Sequence, residues 1–221
     1  LALHRPSTGP AAPPVGAEPP EAWIGYQGGS MLREIAHSSH ALLAFFAMSN
    51  IDMVLARALL PDYQAGLYAS GLVLTKAALF LPQFVVIFLF PAMAKSPRLR
   101  QTHLAGGAVI ALTGLIAAGA VALLPTVSLQ LVGGSQYADV GAWLWLFAGL
   151  GTVLAVVQLL LYGALAERQS RTVWVLWVGC IITAVAATQV NEAVHLLVLK
   201  VGIDAALLVA IILVLVVSGS K

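Results

Sequence analysis

The sequence predicts an all-α fold, a polytopic transmembrane helical bundle with six transmembrane helices. Three observations lead there. Of the 221 residues, 60% are hydrophobic and only 9% charged, against about 25% charged in soluble domains, so the chain lacks the polar groups to cover a water-facing surface. Mean hydropathy is +0.95, and apolar runs repeatedly approach or exceed the ~20 residues that cross a bilayer. Basic residues cluster on alternate connections between those runs, as the positive-inside rule requires.

The opening of the chain is different in kind. Residues 1–30 are expected to form a disordered cytoplasmic linker, because the first 22, rich in Pro, Ala and Gly, hold almost no large apolar side chain and cannot bury enough surface to fold. Residues 31–221 are expected to form the bundle. Residues 31–34 lead in as an interfacial helix, and the first span runs over 37–60, stopped by Pro61. A second span covers 65–94. At about 45 Å it is longer than a ~30 Å hydrocarbon core, so it must tilt, bend or protrude. Pro82 supplies the expected bend by removing a backbone donor. The third span, 104–124, carries Gly106, Gly107, Gly114 and Gly119, a small-residue profile that suits close helix packing. A polar loop over 125–139 follows, then spans at 140–165, 172–188 and 193–217.

Orientation follows from charge. With the N-terminus inside, the inner connections and inner end hold Arg5, Arg33, Lys95, Arg98, Arg100, Arg168, Arg171 and Lys221, while Arg57 alone lies near an outer boundary. This implies a multi-pass protein of the plasma (inner) membrane with both termini cytoplasmic. Tyr63, Tyr68, Tyr137, Trp143 and Trp145 then fall at the outer face and Tyr162, Trp174 and Trp177 at the inner. Amphipathic rings favour both interfaces, which accounts for these residues without a sugar-stacking site.

Candidate functional residues are the polar groups at membrane depth. A charge at a helix centre costs roughly 2.5 to 3.5 kcal/mol on insertion scales, and a chain tolerates it beside a partner or a wet cavity. Asp52 lies in the first span and Lys76 in the second, on either side of a turn at residues 61–64. Counted from Asp62, the two differ in depth by ~6 Å, which predicts either an Asp–Lys tie between two helices or a shared polar cavity. Asn50, Arg57 and Gln83 complete this set of substrate- or ion-pathway candidates, Arg57 being placed to snorkel toward the outer interface. Gln158 is a further polar group in mid-span. Lys200 and Asp204, at i and i+4 on one helix face, are expected to form a structural ion pair.

Other function classes find little support. A net charge of +2 without a dense basic stretch gives no nucleic-acid surface. Neither a nucleophile elbow nor a Gly-rich phosphate loop occurs, so an enzyme is not expected and no cofactor is implied. His37 and His40 lack the further ligands a metal needs. Cys180 has no intrachain partner for a disulfide.

One set of motifs carries a resemblance. Asp52, then Ala65-Gly66-Leu67-Tyr68, then Phe90-Pro91-Ala92-Met93-Ala94 follow the order and spacing that open the second half of polysaccharide flippases. Residues Leu131-Val132-Gly133-Gly134-Ser135-Gln136-Tyr137-Ala138 are similar to a later loop of the same proteins. From about residue 31 onward the chain therefore resembles the C-terminal half of a transporter of the multidrug/oligosaccharidyl-lipid/polysaccharide (MOP) superfamily. The resemblance implies a two-lobe transporter whose N-terminal six-helix half is the partner of this lobe. It implies movement of a polyprenyl-diphosphate-linked oligosaccharide across the plasma membrane by alternating access, in polysaccharide biosynthesis. Lys76 or Arg57 would meet the diphosphate, membrane lipids would surround the polyprenyl tail, and Asp52 would couple movement to a proton or sodium gradient. A cation-coupled multidrug exporter or a peptidoglycan-precursor flippase of the same superfamily remains open. Outside transport, so does a non-transporting membrane scaffold subunit. A membrane glycosyltransferase is disfavoured, because the 125–139 loop offers only Asp139 as a catalytic group.

Overall fold

The structure, a computed structural model, describes residues 21–93, 99–166 and 170–219, with side chains over 35–82, 106–165, 171–215 and at Val217. Among the described residues every regular element is helical. Long apolar runs leave few alternatives, since a backbone in hydrocarbon must satisfy its own hydrogen bonds and a helix does so within one segment. The chain divides into two units at His40, and the bundle is the second of them, His40–Lys221.

The helices are α1 (Glu21–Met48), α2 (Ile51–Leu59), α3 (Asp62–Met93), α4 (Leu99–Leu123), α5 (Pro125–Leu131), α6 (Leu144–Ala166), α7 (Ser170–Ala187) and α8 (Ala193–Gly219), with a 3-10 helix over Gly134–Trp143 before α6. Helix α1 starts at Glu21 and so takes up residues 21–30 of the expected linker, since no proline lies between Pro20 and Pro61 to interrupt it. The first 20 residues of that linker lie outside the described residues. Helix α3 runs through Pro82 to Met93 as one element.

Two expectations need correcting. The first span is not one helix: it breaks at Ser49-Asn50, between α1 and α2. The 125–139 segment is not an open loop either, being built from α5 and the 3-10 helix. Pro125 occupies the first turn of α5, where its missing N–H costs nothing. Gly133 and Gly134, at φ +127° and +79°, then turn the chain into the 3-10 helix through backbone conformations that other residues rarely adopt.

Among the described residues five helical stretches are long and apolar enough to cross a membrane: Ile35–Leu59 (α1 and α2 across their break), Asp62–Pro82, Gly106–Leu123, Gly134–Leu165 (the 3-10 helix and α6) and Ala193–Leu215. The expected fifth span corresponds to α7, which is apolar but only 18 residues long. At 1.5 Å per residue it rises about 27 Å, just short of a ~30 Å core. Six crossings are therefore the expectation and five helices meet the full length.

The centre of the bundle is the contact of α3 with α6. Thr75 Oγ1 donates to the Phe147 carbonyl at 2.9 Å, an interhelical bond of the kind that small polar residues make in membranes. Gly151 permits the approach, since a Cβ there would sit 2.2 Å from the Thr75 carbonyl oxygen. Gly71 likewise leaves room for the Phe147 ring, 2.3 Å from where its Cβ would be. Of the third-span glycines, Gly114 meets Thr152 closely and Gly107 makes ordinary contact with Leu159, whereas Gly119 faces open space. The end that carries the 61–64 turn is tied by two long-range bonds. Tyr63 donates to Asp139 at 2.8 Å, and the Gln64 side-chain oxygen accepts from the Ala193 amide at 3.0 Å, capping α8.

Candidate functional site

The break between α1 and α2 organises the site. Where a helix stops in apolar surroundings its backbone groups lose their partners and need new ones. Here the bond that Met53 would donate to the Ser49 carbonyl is missing, and the helical pattern resumes with Val54 donating to Asn50 O at 3.4 Å. The break's own side chains serve one side of it. Ser49 Oγ and Asn50 Nδ2 both donate to Phe46 O, at 3.2 and 2.7 Å, and Asn50 Nδ2 also reaches Ser49 Oγ at 3.1 Å.

Lys76 of α3 serves the other side. Its ammonium donates to Ser49 O at 2.6 Å and to Asn50 Oδ1 at 2.9 Å. An ammonium has three donors, so two are engaged in the break. Lys76, Ser49 and Asn50 line a cavity of about 500 Å³ walled by Leu42, Phe45, Phe46, Leu79 and Phe80, with Gln158 of α6 at its edge. Gln158 also donates to Tyr162 at 2.8 Å. Phe46 and Phe80 are exposed along this cavity, which makes it a groove on the side of the bundle. It combines apolar walls with a half-buried cation and amide groups.

Asp52 belongs to a different layer. It is 1% exposed and accepts a hydrogen bond from Tyr68 at 2.8 Å through Oδ2, while Oδ1 is buried without a protein partner. Tyr68 is held in place by an edge-on contact with Phe147, centroids 5.4 Å apart. Of the two alternatives for Asp52 and Lys76, the direct tie does not form: among the described residues the ion pairs are Arg57–Asp62, Glu192–His195 and Lys200–Asp204. Each group is engaged elsewhere: the Lys76 ammonium by Ser49 O and Asn50 Oδ1, and the Asp52 carboxyl by Tyr68.

The remaining candidates separate in the same way. Arg57 pairs with Asp62, both strongly exposed, beside a smaller cavity of about 230 Å³ lined by Met53, Ala65, Gly66 and Ala69. It stands apart from the Lys76 groove. The side chain of Gln83 lies outside the described residues. Lys200 and Asp204 form the expected pair, 2.5 Å from ammonium to both carboxylate oxygens, with both side chains fully buried. Coulombic interaction links Asp52 to Tyr68, Lys76 and Asp204, and Lys200 to Lys76, so these charges form one electrostatic neighbourhood. Among the described residues no group of three His, Cys, Asp or Glu side chains is placed to hold a metal ion. His40, one of the two histidines considered for metal, instead accepts a bond from Trp177 Nε1 at 2.9 Å and stacks on its ring.

Two participants were missed in the sequence. Tyr68 reads as a belt residue, yet it is fully buried and is the donor to Asp52. Ser49 enters through its main-chain carbonyl, which no pattern of side chains announces.

The chain matches no protein-family model, no curated protein and no solved structure.

Proposed function

We propose that the chain is a flippase lobe that moves a polyprenyl-diphosphate-linked oligosaccharide across the plasma membrane by alternating access, as its resemblance to MOP-type polysaccharide flippases implies. One observation supports this above the others: an ammonium, Lys76, held at membrane depth at the base of an apolar-walled groove that opens on the side of the bundle. Such a groove suits an amphipathic anion. Phosphate oxygens gain charge-assisted bonds from the lysine, sugar hydroxyls find the amides of Asn50 and Gln158, and the polyprenyl chain runs along Phe46 and Phe80. Intramembrane charges of this kind mark substrate and ion paths. A second six-helix lobe would close the groove from the other side. No covalent chemistry is required of any residue.

Asp52 supports a companion reading, a cation-coupled exporter of the same superfamily. Its buried Oδ1 has no protein partner, and a proton or sodium ion would compensate it. A non-transporting scaffold subunit is the reading of another class, and it predicts that neutral replacements at Lys76 and Asp52 are silent. Reconstitution of the full-length protein into liposomes tests all three. Translocation of a fluorescent polyprenyl-diphosphate sugar should fall by at least about tenfold in Lys76→Gln and recover in part in Lys76→Arg. Transport that is lost in Asp52→Asn only when a gradient is imposed supports the cation-coupled mode. Translocation no faster than in protein-free liposomes, in the wild type and every variant alike, favours the scaffold.

A further inference from the structure

We propose that the slot between α2 and α3, beside the turn at residues 61–64, binds a phospholipid with a primary-amine headgroup, phosphatidylethanolamine, whose phosphate bonds Arg57 and whose ammonium bonds Asp62. The site uses neither Lys76 nor its groove and does not depend on the transport reading.

The slot exists because one of its walls is made of small residues. Met53 and Arg57 of α2 are four residues apart and share a face, as do Ala65 and Ala69 of α3, with Gly66 between them. Close helix contact is not what Gly66 serves. The nearest atom to a Cβ placed there is Tyr137 Cε1 at 3.9 Å, an ordinary contact, whereas a Cβ on Gly151 would strike the backbone of α3. The space left beside Gly66 is open instead, and forms the cavity of about 230 Å³ that these five residues line together with Asp62.

Polarity is sorted along this slot. Arg57 and Asp62 are the lining residues nearest the turn on α2 and α3, while Met53 and Ala69, the furthest from it, are apolar. The turn separates two stretches long and apolar enough to cross a membrane, Ile35–Leu59 and Asp62–Pro82, which puts it at a membrane boundary. A charged mouth at that boundary, over an apolar floor one helical turn deeper, matches a lipid headgroup above its acyl chain.

The charges choose the headgroup. Arg57 and Asp62 are both exposed and bonded to each other, and an exposed pair of this kind contributes little, so it opens readily. Arg57 spends a single N–H, on Nη1, for that bond. A guanidinium has five donors, and its fork can grip a phosphate by two of them. Asp62 then takes the lipid's ammonium, so one exposed ion pair becomes two charge-assisted contacts. Phosphatidylcholine has no N–H to offer the carboxylate. Phosphatidylglycerol brings no cation and sets its phosphate charge beside Asp62. Repulsion and a missing donor thus disfavour both competitors, while the ethanolamine headgroup satisfies both residues.

Native mass spectrometry of the full-length protein in detergent tests this, with dioleoyl phosphatidylethanolamine, phosphatidylcholine and phosphatidylglycerol as probes. The wild type should bind the ethanolamine lipid tightest. Arg57→Gln should weaken it by about tenfold, the effect of one charge-assisted hydrogen bond. Asp62→Asn should remove the preference over the choline lipid and strengthen the glycerol lipid. Both substitutions are on exposed side chains, where folding is little affected. Ala69→Leu, which fills the slot, should weaken all three lipids. Glycerophosphoethanolamine, the same headgroup without chains, should fail to compete even at about a hundredfold excess, because it buries no apolar surface. Equal affinity for the three lipids in the wild type overturns the proposal, and so does tightest binding of phosphatidylglycerol, which reduces the site to a plain cation. A preference that survives both Arg57→Gln and Asp62→Asn places ethanolamine binding elsewhere on the protein and overturns it too. Should Ala69→Leu fold poorly, the competition decides: displacement by glycerophosphoethanolamine overturns the role of the slot.

Discussion

The Asp52 carboxylate hangs on a single phenol. With Oδ1 bare and the side chain 1% exposed, Tyr68→Phe removes its last donor. That leaves a buried acceptor unsatisfied at a cost of about 1–3 kcal/mol, more for an ionised group. Thermal unfolding in detergent should register this loss, and Tyr63→Phe, at the exposed bond to Asp139, should cost far less. The Lys200–Asp204 pair gives a sharper contrast. Lys200→Met alone strands a fully buried carboxylate and should destabilise by about 3–5 kcal/mol, whereas Lys200→Met with Asp204→Leu should come near to neutral or better. At this scale the sequence was partly legible. Charges inside apolar runs are visible without coordinates, and the i, i+4 spacing of Lys200 and Asp204 led directly to their pairing. Tyr68 was not, because an amphipathic ring near a helix end fits an interfacial belt and a buried donor equally well until its neighbours are known.

Helices were legible where hydrophobicity alone decides them, and the exceptions have a common cause. The break at Ser49-Asn50 is bonded by Lys76, which is 26 residues away from Asn50 in the chain, a contact that no local signal marks. The ordered 125–139 segment depends on Gly133 and Gly134 adopting positive φ and on Tyr137 packing over Gly133, a local motif that polarity alone reads as loop. Small residues show the same division. Gly114 was identified from composition, but Gly151 matters more, because its neighbour is the rigid backbone of α3 at Thr75 rather than a side chain that can turn away. Gly151→Ala should therefore push α3 and α6 apart and destabilise by about 1–3 kcal/mol through overpacking, measured by unfolding. Gly119→Ala, which meets nothing within 4 Å, should be neutral or slightly stabilising, since alanine is the better helix former.

For the molecule as a whole, the membrane class followed from composition, and the number of crossings turns on α7. Its 18 residues match a slightly thinned bilayer or a helix drawn in at its ends, both modest in cost. If α7 crosses, cysteines introduced at Arg171 and Asn191 in a Cys180→Ser background react with an impermeant thiol reagent from opposite faces of the membrane. Reaction from one face would reduce the crossings to five and put the two termini on opposite sides. The site was legible as a set of residue types and not as an arrangement. Asp52 and Lys76 enter separate sets of contacts, one a buried carboxyl with the Tyr68 phenol and the other a cation at the Ser49-Asn50 break facing the groove.

The account stands on the Lys76 groove receiving an anionic lipid headgroup. Photolabelling of the full-length protein with a diazirine-bearing polyprenyl diphosphate reads this directly. The label should concentrate on Phe46 and Phe80, which flank the groove, and should fall to background there in Lys76→Gln. Labelling of Leu115, an exposed residue of α4, as strong as that of Phe46, or groove labelling indifferent to the loss of the lysine, would contradict it.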